Sequence, residues 1–331
     1  MASNPDITSA VAAETERLKF PAGDSTVKPP LPTISPFGTP YPSNGTSTFG
    51  GAREIDDLRF RFERIAHEPQ RNAETLDILA EIRRGLETGA LRVAEPKSDG
   101  WIVHTWIKRA LLLHTTLGIA EVQSGPLPGV ELDTLRWRGH PPPECRIPAG
   151  SLVREGAYLG PRVTCMPPAV IQIGAFVDEG TFIDSYALIG LCAQIGRGVH
   201  IGSSSTVGGY ILPLESPPTT LEDNVILGGN CGVYEGVRVG RGAVLMAGTL
   251  ITPFHQIFDL RSGEWLRTTA NNLLIVPPLS IVAMGTRAIG EGKNSLHINA
   301  PLIVGTRQSE DSNNYEFVGG LDKSDSNGGG A

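Results

Sequence analysis

The stretch IGAFVDEGTFIDSYALIGLCAQIGRGVHIG, residues 173–202, repeats one pattern every six residues. Its recurring aliphatic positions are Val177, Ile183, Ile189, Ile195 and Ile201. A glycine directly follows each of the last three. Self-similarity at a fixed short period is typical of a solenoid, in which identical structural units stack on one another.

The repeat continues on both sides of this stretch. Counting in sixes gives eleven consecutive apolar positions, which are Ile147, Val153, Leu159, Cys165, Ile171, Val177, Ile183, Ile189, Ile195, Ile201 and Val207. The residue four places after each of them is nearly always small or β-branched. After the interruption PLESPPTT (213–220), the count resumes at Leu221 and runs to Ile251, with a last piece near Ile275 and Ile281.

A hexad of this kind is interpreted as one short strand and one turn, so that three hexads close a triangular coil. Each aliphatic residue then points inward and stacks on its equivalent about 18 residues later. Glycine tolerates the backbone angles of the turn, and several coils must stack because none buries its own surface. The sequence predicts a left-handed parallel β-helix, an exception to the usual right-handed crossover. A right-handed β-helix has longer and less strictly hexameric coils.

The predicted fold class is therefore mainly β, a β-helix of hexapeptide repeats with a small N-terminal α/β domain. A disordered or extended Pro/Gly/Ser-rich arm is predicted over 1–52, the α/β domain over 53–120 and a linker over 121–145. The β-helix is predicted over 146–305, with loop excursions near 213–220 and 253–272, and a mobile tail follows over 306–331. Asp6, Glu14 and Glu16 argue against a transit peptide in the arm.

Three helices and two strands are expected in the small domain. Helical spacing joins Leu58 to Phe62 and Ile65, and a second helix runs from Leu76 to a stop at Gly89. ALRVAE (90–95) and GWIVH (100–104) flank a turn as strands, and Trp106–Thr115 forms the third helix. Lys108 and Arg109 in that helix are expected on a solvated face.

Composition excludes several classes of partner. The net charge of −7 argues against nucleic acid or an anionic membrane, and no apolar run approaches the roughly 18 residues of a membrane span. No secretory signal is visible. The cysteines, Cys145, Cys165, Cys192 and Cys231, lack CxxC spacing and are interpreted as reduced thiols of a cytoplasmic protein. No metal-ligand cluster is visible, so no metal is inferred.

Five motifs together resemble the tetrahydrodipicolinate N-succinyltransferase family. They are GALRVAE (89–95), GWIVHTWIKRALLL (100–113), RIPAGSLVREGAYLG (146–160), the stretch 173–202 and PTTLEDNVILGG (218–229). The resemblance runs from about residue 55 to about residue 305. Other hexapeptide acyltransferases would share the coils but not VDEGT, LCAQIG or the preceding helical domain.

The resemblance implies a CoA-dependent N-acyltransferase. The family transfers succinyl from succinyl-CoA to the amino group of ring-opened tetrahydrodipicolinate, an amino-dicarboxylate, in the diaminopimelate and lysine pathway. Its members are homotrimers with active sites between neighbouring β-helices. Arg146 stands at the family's arginine for a substrate carboxylate, which a guanidinium can pair in bidentate fashion. Asp184 stands at the substrate-binding aspartate, which could hold or deprotonate the amine as a catalytic residue.

Each of these residues also has a plainer interpretation. Asp184 could be a solvated turn carboxylate, and Arg146 a surface charge. Lys293 matches a C-terminal region of the family where a basic group could meet a CoA phosphate, although a surface lysine would look the same. His200 sits at a turn and is a candidate general base by analogy with related acyltransferases; His255 and His297 are weaker candidates.

One coil departs from the family pattern. The family reads ARSEVVEG where this chain reads GGNCGVYEG (228–236), so the glutamate required for activity falls on Gly232 and its arginine on Asn230. Glu235 remains but faces another side of the coil. The chain therefore uses another base, accepts a different amino-dicarboxylate, or is a catalytically silent trimeric scaffold.

Overall fold

The computed structural model describes residues 51–97, 100–117, 144–269, 273–290, 295–310 and 314–318. The arm predicted over 1–52 and the linker predicted over 121–145 lie almost entirely outside these ranges, and so does Lys293. Within them, no helix combines the length and apolar character needed to cross a membrane.

Three helices and a hairpin precede the β-helix, as predicted. They are α1 (Ala52–Ala66), α2 (Ala73–Glu87), β1 (Ala94–Lys97), β2 (Gly100–Val103) and α3 (Thr105–Thr116). Asn72 begins α2 as an N-cap, because its side-chain oxygen accepts a hydrogen bond from the Thr75 N–H at 2.9 Å. Phe62, Ile82 and Ile107 form the centre of a separate apolar core between the helices.

The prediction of a solvated Lys108 is wrong. Its side chain on α3 is only 1% exposed, and its ammonium donates hydrogen bonds to the carbonyl oxygens of Pro213 and Ser216. Helical periodicity could not reveal this, because the covering segment comes from a loop about a hundred residues further along the chain. Arg109 agrees better with the prediction: it is partly exposed and pairs with Glu63 at 2.7 Å.

Short strands, nearly all of two residues, follow one another along the coils. In chain order they are β3 (Leu152–Val153), β4 (Tyr158–Leu159), β5 (Thr164–Cys165), β6 (Val170–Ile171), β7 (Phe176–Val177), β8 (Phe182–Ile183), β9 (Leu188–Ile189), β10 (Gln194–Ile195), β11 (His200–Ile201), β12 (Thr206–Val207), β13 (Thr220–Leu221), β14 (Ile226–Leu227), β15 (Gly232–Val233), β16 (Val237–Val239), β17 (Val244–Leu245) and β18 (Leu250–Ile251).

These strands stack into three parallel sheets, one for each side of the coil. Sheet 1 takes β3, β6, β9, β12, β15 and β18; sheet 2 takes β4, β7, β10, β13 and β16; sheet 3 takes β5, β8, β11, β14 and β17. Neighbouring strands align equivalent residues, as where Ile171 pairs with Ile189, 18 residues later. The predicted fold class is confirmed.

The core runs along the axis of the β-helix. The second residue of each two-residue strand points inward, so that Ile183, Ile195 and Ile201 are completely buried. Burying one such side chain stabilises the fold by about 1.5–3 kcal/mol. Cys165 occupies an inward position of the same kind, and all four cysteines are free thiols, as predicted.

Two loops leave the coils. The first excursion, residues 208–219, separates β12 from β13, and the second, residues 252–273, follows β18. The second contains an antiparallel hairpin, β19 (Ile257–Asp259) and β20 (Glu264–Leu266). After it come β21 (Leu274–Val276), β22 (Ser280–Ile289), β23 (Leu296–Arg307) and β24 (Tyr315–Phe317).

The last strands extend two of the sheets. β21 pairs with β16 in sheet 2, and β22 pairs with β17 in sheet 3. Beyond β22, sheet 3 continues with β23, β19 and β20, and β24 pairs with β23. The tail predicted as mobile from residue 306 therefore begins inside a sheet, because β24 supplies hydrogen bonds to the free edge of β23.

The helical domain is fixed to sheet 2 by an arginine. Arg92 Nε donates to Gln194 Oε1 at 2.7 Å, and its guanidinium lies 3.8 Å from the centre of the Phe176 ring. Gln194 is fully buried and donates in turn to the Cys192 carbonyl at 2.9 Å. Two motifs that are distant in sequence, ALRVAE and LCAQIG, thus meet at this contact.

A partly buried histidine in α3, His114, gives the fold a defined pH dependence. Burial lowers the pKa of His114, and the positive charges of Arg83 and Arg154 lower it further. Below the ordinary value of about 6.5, the unfolded chain therefore binds a proton that the native chain does not. We expect stability to fall from pH 7.5 to pH 5.5, by at most about 1.4 kcal/mol per pH unit from this group.

Thermal unfolding of the wild type and of His114→Gln at both pH values measures this effect. The variant should lose less stability on acidification, since the carboxyl groups that also titrate are common to both proteins. An identical pH dependence of the two melting temperatures would contradict the assignment.

Candidate functional site

Arg146 lines a cavity of about 290 Å³ together with Glu144, Arg162 and Thr164. It forms a parallel bridge with Thr164, which places its side chain on the outer surface of sheet 3. Its guanidinium has no hydrogen-bond or ion-pair partner among the residues that the structure describes. An exposed, unpaired guanidinium beside a cavity can bind a carboxylate.

Arg162 is a second cation in this cavity, and the sequence analysis missed it. Unlike Arg146, it is already paired, with Glu179 in the next coil and with Glu144 at 3.8 Å. Its backbone φ of 57° places it at a tight turn between sheets 2 and 3. No sequence signal distinguishes it, because an arginine at a hexad turn is usually a surface charge.

Asp184 lies at the turn between β8 in sheet 3 and β9 in sheet 1, and its side chain is half-buried. One carboxylate oxygen, Oδ1, accepts a hydrogen bond from the Ser185 N–H at 2.7 Å. The other oxygen has no partner among the described residues. The turn therefore fixes the carboxylate while leaving one oxygen able to accept a proton or hydrogen bond from a ligand.

Arg146 and Asp184 lie on the same side of the β-helix. Arg146 aligns with Thr164, and Thr164 aligns with Phe182, two residues before Asp184. Strands are spaced about 4.8 Å apart, so the two residues are separated by about 10 Å along the axis. The long side chain of Arg146 can cover part of this distance.

Gly232 occupies the outward position of β15 in sheet 1, and its surroundings are already filled. A Cβ at this residue would lie 2.7 Å from Leu250 Cδ1 and 2.9 Å from Tyr234 Cε2. The Tyr234 hydroxyl oxygen lies 3.5 Å from the same point. Tyr234 and Leu250 therefore take up the space that a larger residue at 232 would need.

The three candidate histidines differ in their surroundings. His200 is exposed on sheet 3, with its ring stacked 5.1 Å from that of Phe182. His255 Nδ1 accepts a hydrogen bond from the Thr252 N–H at 3.0 Å, and burial lowers the pKa of this histidine. His297 is exposed on β23. None of the three is hydrogen-bonded to a carboxylate in the described part of the chain, so the His–carboxylate pair of a catalytic triad is not formed there.

The VDEGT motif supports the coils. Asp178 lies 3.6 Å from Arg197 in the coil above, and Glu179 pairs with Arg162 in the coil below. Thr181 is buried, and its hydroxyl donates to the Gly196 carbonyl at 2.9 Å. The residues of the motif therefore stabilise the stacking of one coil on the next.

Metal-binding geometry is not found in the described ranges, where no group of three or more His, Cys, Asp or Glu side chains could hold an ion. Lys293, the candidate for a CoA phosphate, lies outside these ranges.

Comparison with known proteins agrees with this architecture. Residues 55–117 match the model of the tetrahydrodipicolinate N-succinyltransferase N-terminal domain, and residues 218–253 match the hexapeptide repeat of succinyl-transferase. The 2,3,4,5-tetrahydropyridine-2,6-dicarboxylate N-succinyltransferase of Dechloromonas aromatica is 34% identical over an alignment of 242 residues that covers 71% of this chain and 86% of that protein. The chain belongs to the tetrahydrodipicolinate N-succinyltransferase family.

A second member of the family, the enzyme of the same name from Acinetobacter baylyi, is 35% identical over 72% of this chain and 89% of its own length. A solved hexapeptide-repeat acetyltransferase from Vibrio cholerae, in complex with acetyl-CoA, covers 76% of this chain and 91% of its own, at 16% identity and a TM-score of 0.28. As a member of the tetrahydrodipicolinate N-succinyltransferase family, the chain is an acyl-CoA-using, hexapeptide-repeat acyltransferase, which confirms the predicted enzyme class.

Proposed function

We propose that the chain transfers a succinyl group from succinyl-CoA to the amino group of ring-opened tetrahydrodipicolinate. The observation that carries the proposal is the pair of Asp184 and Arg146 on one side of the β-helix, where among the described residues one Asp184 oxygen and the Arg146 guanidinium have no partner. Relatives at about 35% identity are named for this reaction. The reaction belongs to the diaminopimelate and lysine pathway, and free thiols suit the cytoplasm proposed as its location.

In the proposed reaction, the amine nitrogen attacks the thioester carbonyl carbon. A carbon–nitrogen bond forms, the carbon–sulfur bond breaks, and CoA leaves as a thiol. Asp184 accepts the proton that the nitrogen loses and the departing sulfur receives it. Backbone N–H groups at a coil turn stabilise the negative charge on the carbonyl oxygen in the intermediate.

Arg146 is proposed to bind the carboxylate of the acceptor that is remote from the reacting amine. An extended amino-dicarboxylate lying along sheet 3 would reach from the cavity at Arg146 towards Asp184. Arg162 adds positive charge to the cavity, although Glu144 and Glu179 already offset much of it. Lys293 is proposed to contact a phosphate of CoA.

Tyr234 offers a physical account of the change at Gly232. The Tyr234 hydroxyl oxygen lies 3.5 Å from where a Cβ at 232 would be, within the reach of a glutamate side chain. We propose that this hydroxyl supplies the hydrogen-bonding group at that place. A hydroxyl group does not replace every role of a carboxylate, and this change is the reason to keep a related amino-dicarboxylate as the alternative acceptor.

Two variants test this account. Gly232→Glu alone should lower stability without raising activity on 2-aminopimelate, because Tyr234 and Leu250 fill the space. Gly232→Glu combined with Tyr234→Val should fold better, because the exposed end of Leu250 can turn aside once the ring is gone, and should exceed the single variant in turnover. Melting temperature and initial rate measure both effects, and a single variant as active as the double variant would rule out the steric argument.

A homotrimer is proposed because apolar side chains remain exposed along sheet 1 and its edge with sheet 3. They are Leu152, Met166, Tyr186, Met246 and Leu250. Exposed apolar side chains gathered along one side of a β-helix are typical of a protein interface. Light scattering on the purified protein should give three times the chain mass of 35.2 kDa; a monomer would contradict the proposal.

The reaction is tested by the release of CoA thiol from succinyl-CoA in the presence of 2-aminopimelate, a stable acceptor. We expect acceptor-dependent thiol release and the succinylated product by mass spectrometry. Release with another amino-dicarboxylate only would establish the alternative acceptor. Neither thiol release nor CoA binding by calorimetry would leave the trimeric scaffold as the function.

A further inference from the structure

Lys108 is a buried cation on α3 that the proposed reaction does not use. Its ammonium donates to the Pro213 carbonyl at 2.9 Å and to the Ser216 carbonyl at 3.0 Å, both in the first excursion. A buried charge is costly unless it is hydrogen-bonded and compensated. These contacts connect α3 of the helical domain to a loop of the β-helix.

The first excursion is fixed to two other parts of the molecule, the helical domain and the turn after β15. The Ser216 N–H donates to the Pro213 carbonyl at 3.2 Å, which closes the turn that Lys108 holds. The Gly236 N–H donates to the Pro217 carbonyl at 3.1 Å, which joins the same loop to the turn after β15. Ile211 packs against the core of the helical domain. The loop therefore lies between α3 and the coil that carries Gly232.

Charge completes this arrangement. Burial lowers the pKa of Lys108, while the carboxyl groups of Glu215 and Glu235 act in the opposite direction. Burial raises the pKa of the Cys192 thiol to about 12, so this thiol stays neutral. Burial also raises the pKa of Glu235, and the charge of Lys108 opposes this. Glu235 is the residue directly after Tyr234.

We propose that Lys108 is a positioning residue, which holds the first excursion and the turn of residues 234–236 in place for the proposed acyl transfer. It touches neither substrate. Its role is to keep Tyr234 over Gly232 by fixing the chain on both sides of that coil. This inference rests on the proposed function for its kinetic part, while its structural part can be tested without activity.

Hydrogen exchange in full-length Lys108→Met tests the structural part. Amides of residues 209–219 and 234–237 should exchange at least tenfold faster than in the wild type, and amides of β6 and β7 should not change. Arg109→Met is the matched control on the same helix, because Arg109 is partly exposed and its contacts, with Glu63 and with the Phe62 ring, stay within the helical domain. Unchanged exchange over 209–219 in Lys108→Met would overturn the proposal, even for a chain without acyltransferase activity.

Kinetics with succinyl-CoA and 2-aminopimelate test the positioning part. In Lys108→Met, kcat should fall at least tenfold, and KM for succinyl-CoA should stay within twofold. Arg109→Met should keep both values. Loss of loop protection with an unchanged kcat would overturn the positioning role.

A double variant distinguishes an effect on the position of the loop from an effect on the stability of the fold. It also keeps the proposal testable if Lys108→Met folds poorly. Lys108→Met with Glu235→Gln removes both charges and so relieves the uncompensated carboxylate. Its melting temperature should recover towards that of the wild type, while kcat should stay low because the two carbonyls are still not held. Recovery of kcat together with stability would show that Lys108 is only structural.

Discussion

Asp184→Asn should lower kcat at least 100-fold while the protein keeps its fold and assembly. The asparagine Oδ1 can still accept the hydrogen bond from the Ser185 N–H, which lies 2.7 Å from Oδ1 of Asp184. The variant loses the ionised oxygen that would accept the proton of the amine. A positioned general base contributes typically 10²–10⁴-fold to rate. Thiol release under saturating succinyl-CoA measures kcat, and circular dichroism with light scattering measures fold and assembly.

Asp223→Asn is the control for this variant. Asp223 is also a turn carboxylate, but it lies at the edge between sheets 2 and 3, where Oδ1 accepts from the Arg197 N–H at 2.9 Å. We expect this variant to keep its turnover and to lose a little stability. Turnover of Asp184→Asn within twofold of the wild type would disprove the role proposed for Asp184.

Gly209→Ala should destabilise the protein by about 3 kcal/mol or more, as overpacking against atoms that cannot move aside. A Cβ at 209 would lie 2.1 Å from the Leu191 carbonyl oxygen and 2.4 Å from the Leu191 nitrogen. Both are backbone atoms of the neighbouring coil, which other coils hold in register. The first excursion leaves the β-helix here, and only glycine permits so close an approach.

Gly248→Ala distinguishes this steric effect from backbone strain. Gly248 has a φ of 77°, but a Cβ there would meet nothing within 4 Å. Only the cost of a left-handed conformation applies, about 1–2 kcal/mol. Urea unfolding of both variants measures the difference. Equal losses of stability would show that the contact with Leu191 relaxes at little cost.

The hexad pattern was sufficient to predict the coils because each inward residue is determined locally. In a strand of two residues the first side chain points outward and the second points inward. The inward positions can therefore be found in the sequence as aliphatic residues six apart. The same rule predicted the core positions of β6 to β12. Excursions interrupt the period and were visible for that reason.

Contacts between distant segments were beyond such a pattern. Lys108 looked solvated because the carbonyls that bind it belong to another domain. Arg92 and Gln194 stand in two motifs whose meeting depends on how the helical domain packs on sheet 2. Arg162 belongs to the site because the stacking of the coils places it in the same cavity as Arg146.

At the candidate site, the sequence predicted Asp184 and Arg146 through the family resemblance, and their roles remain predictions. The space at Gly232 could not be anticipated, because it depends on side chains two and eighteen residues away, Tyr234 and Leu250. Gly232 and Leu250, 18 residues apart, become neighbours only because one coil stacks on the next.

The end of sheet 3 has a consequence for growth beyond a single chain. A coil that ended in a bare parallel strand would offer its N–H and C=O groups as a template on which further chains could stack into fibres. Here β22 is covered along its length by the antiparallel β23, from Ser280–Thr306 to Ile289–Leu296. Because β23 runs antiparallel to β22, its outer edge does not offer the parallel hydrogen-bonding pattern on which another hexad coil would stack. Sheet 3 therefore resists end-to-end polymerisation, although each of its earlier strands, β5 to β17, pairs in parallel with the strand of the next coil.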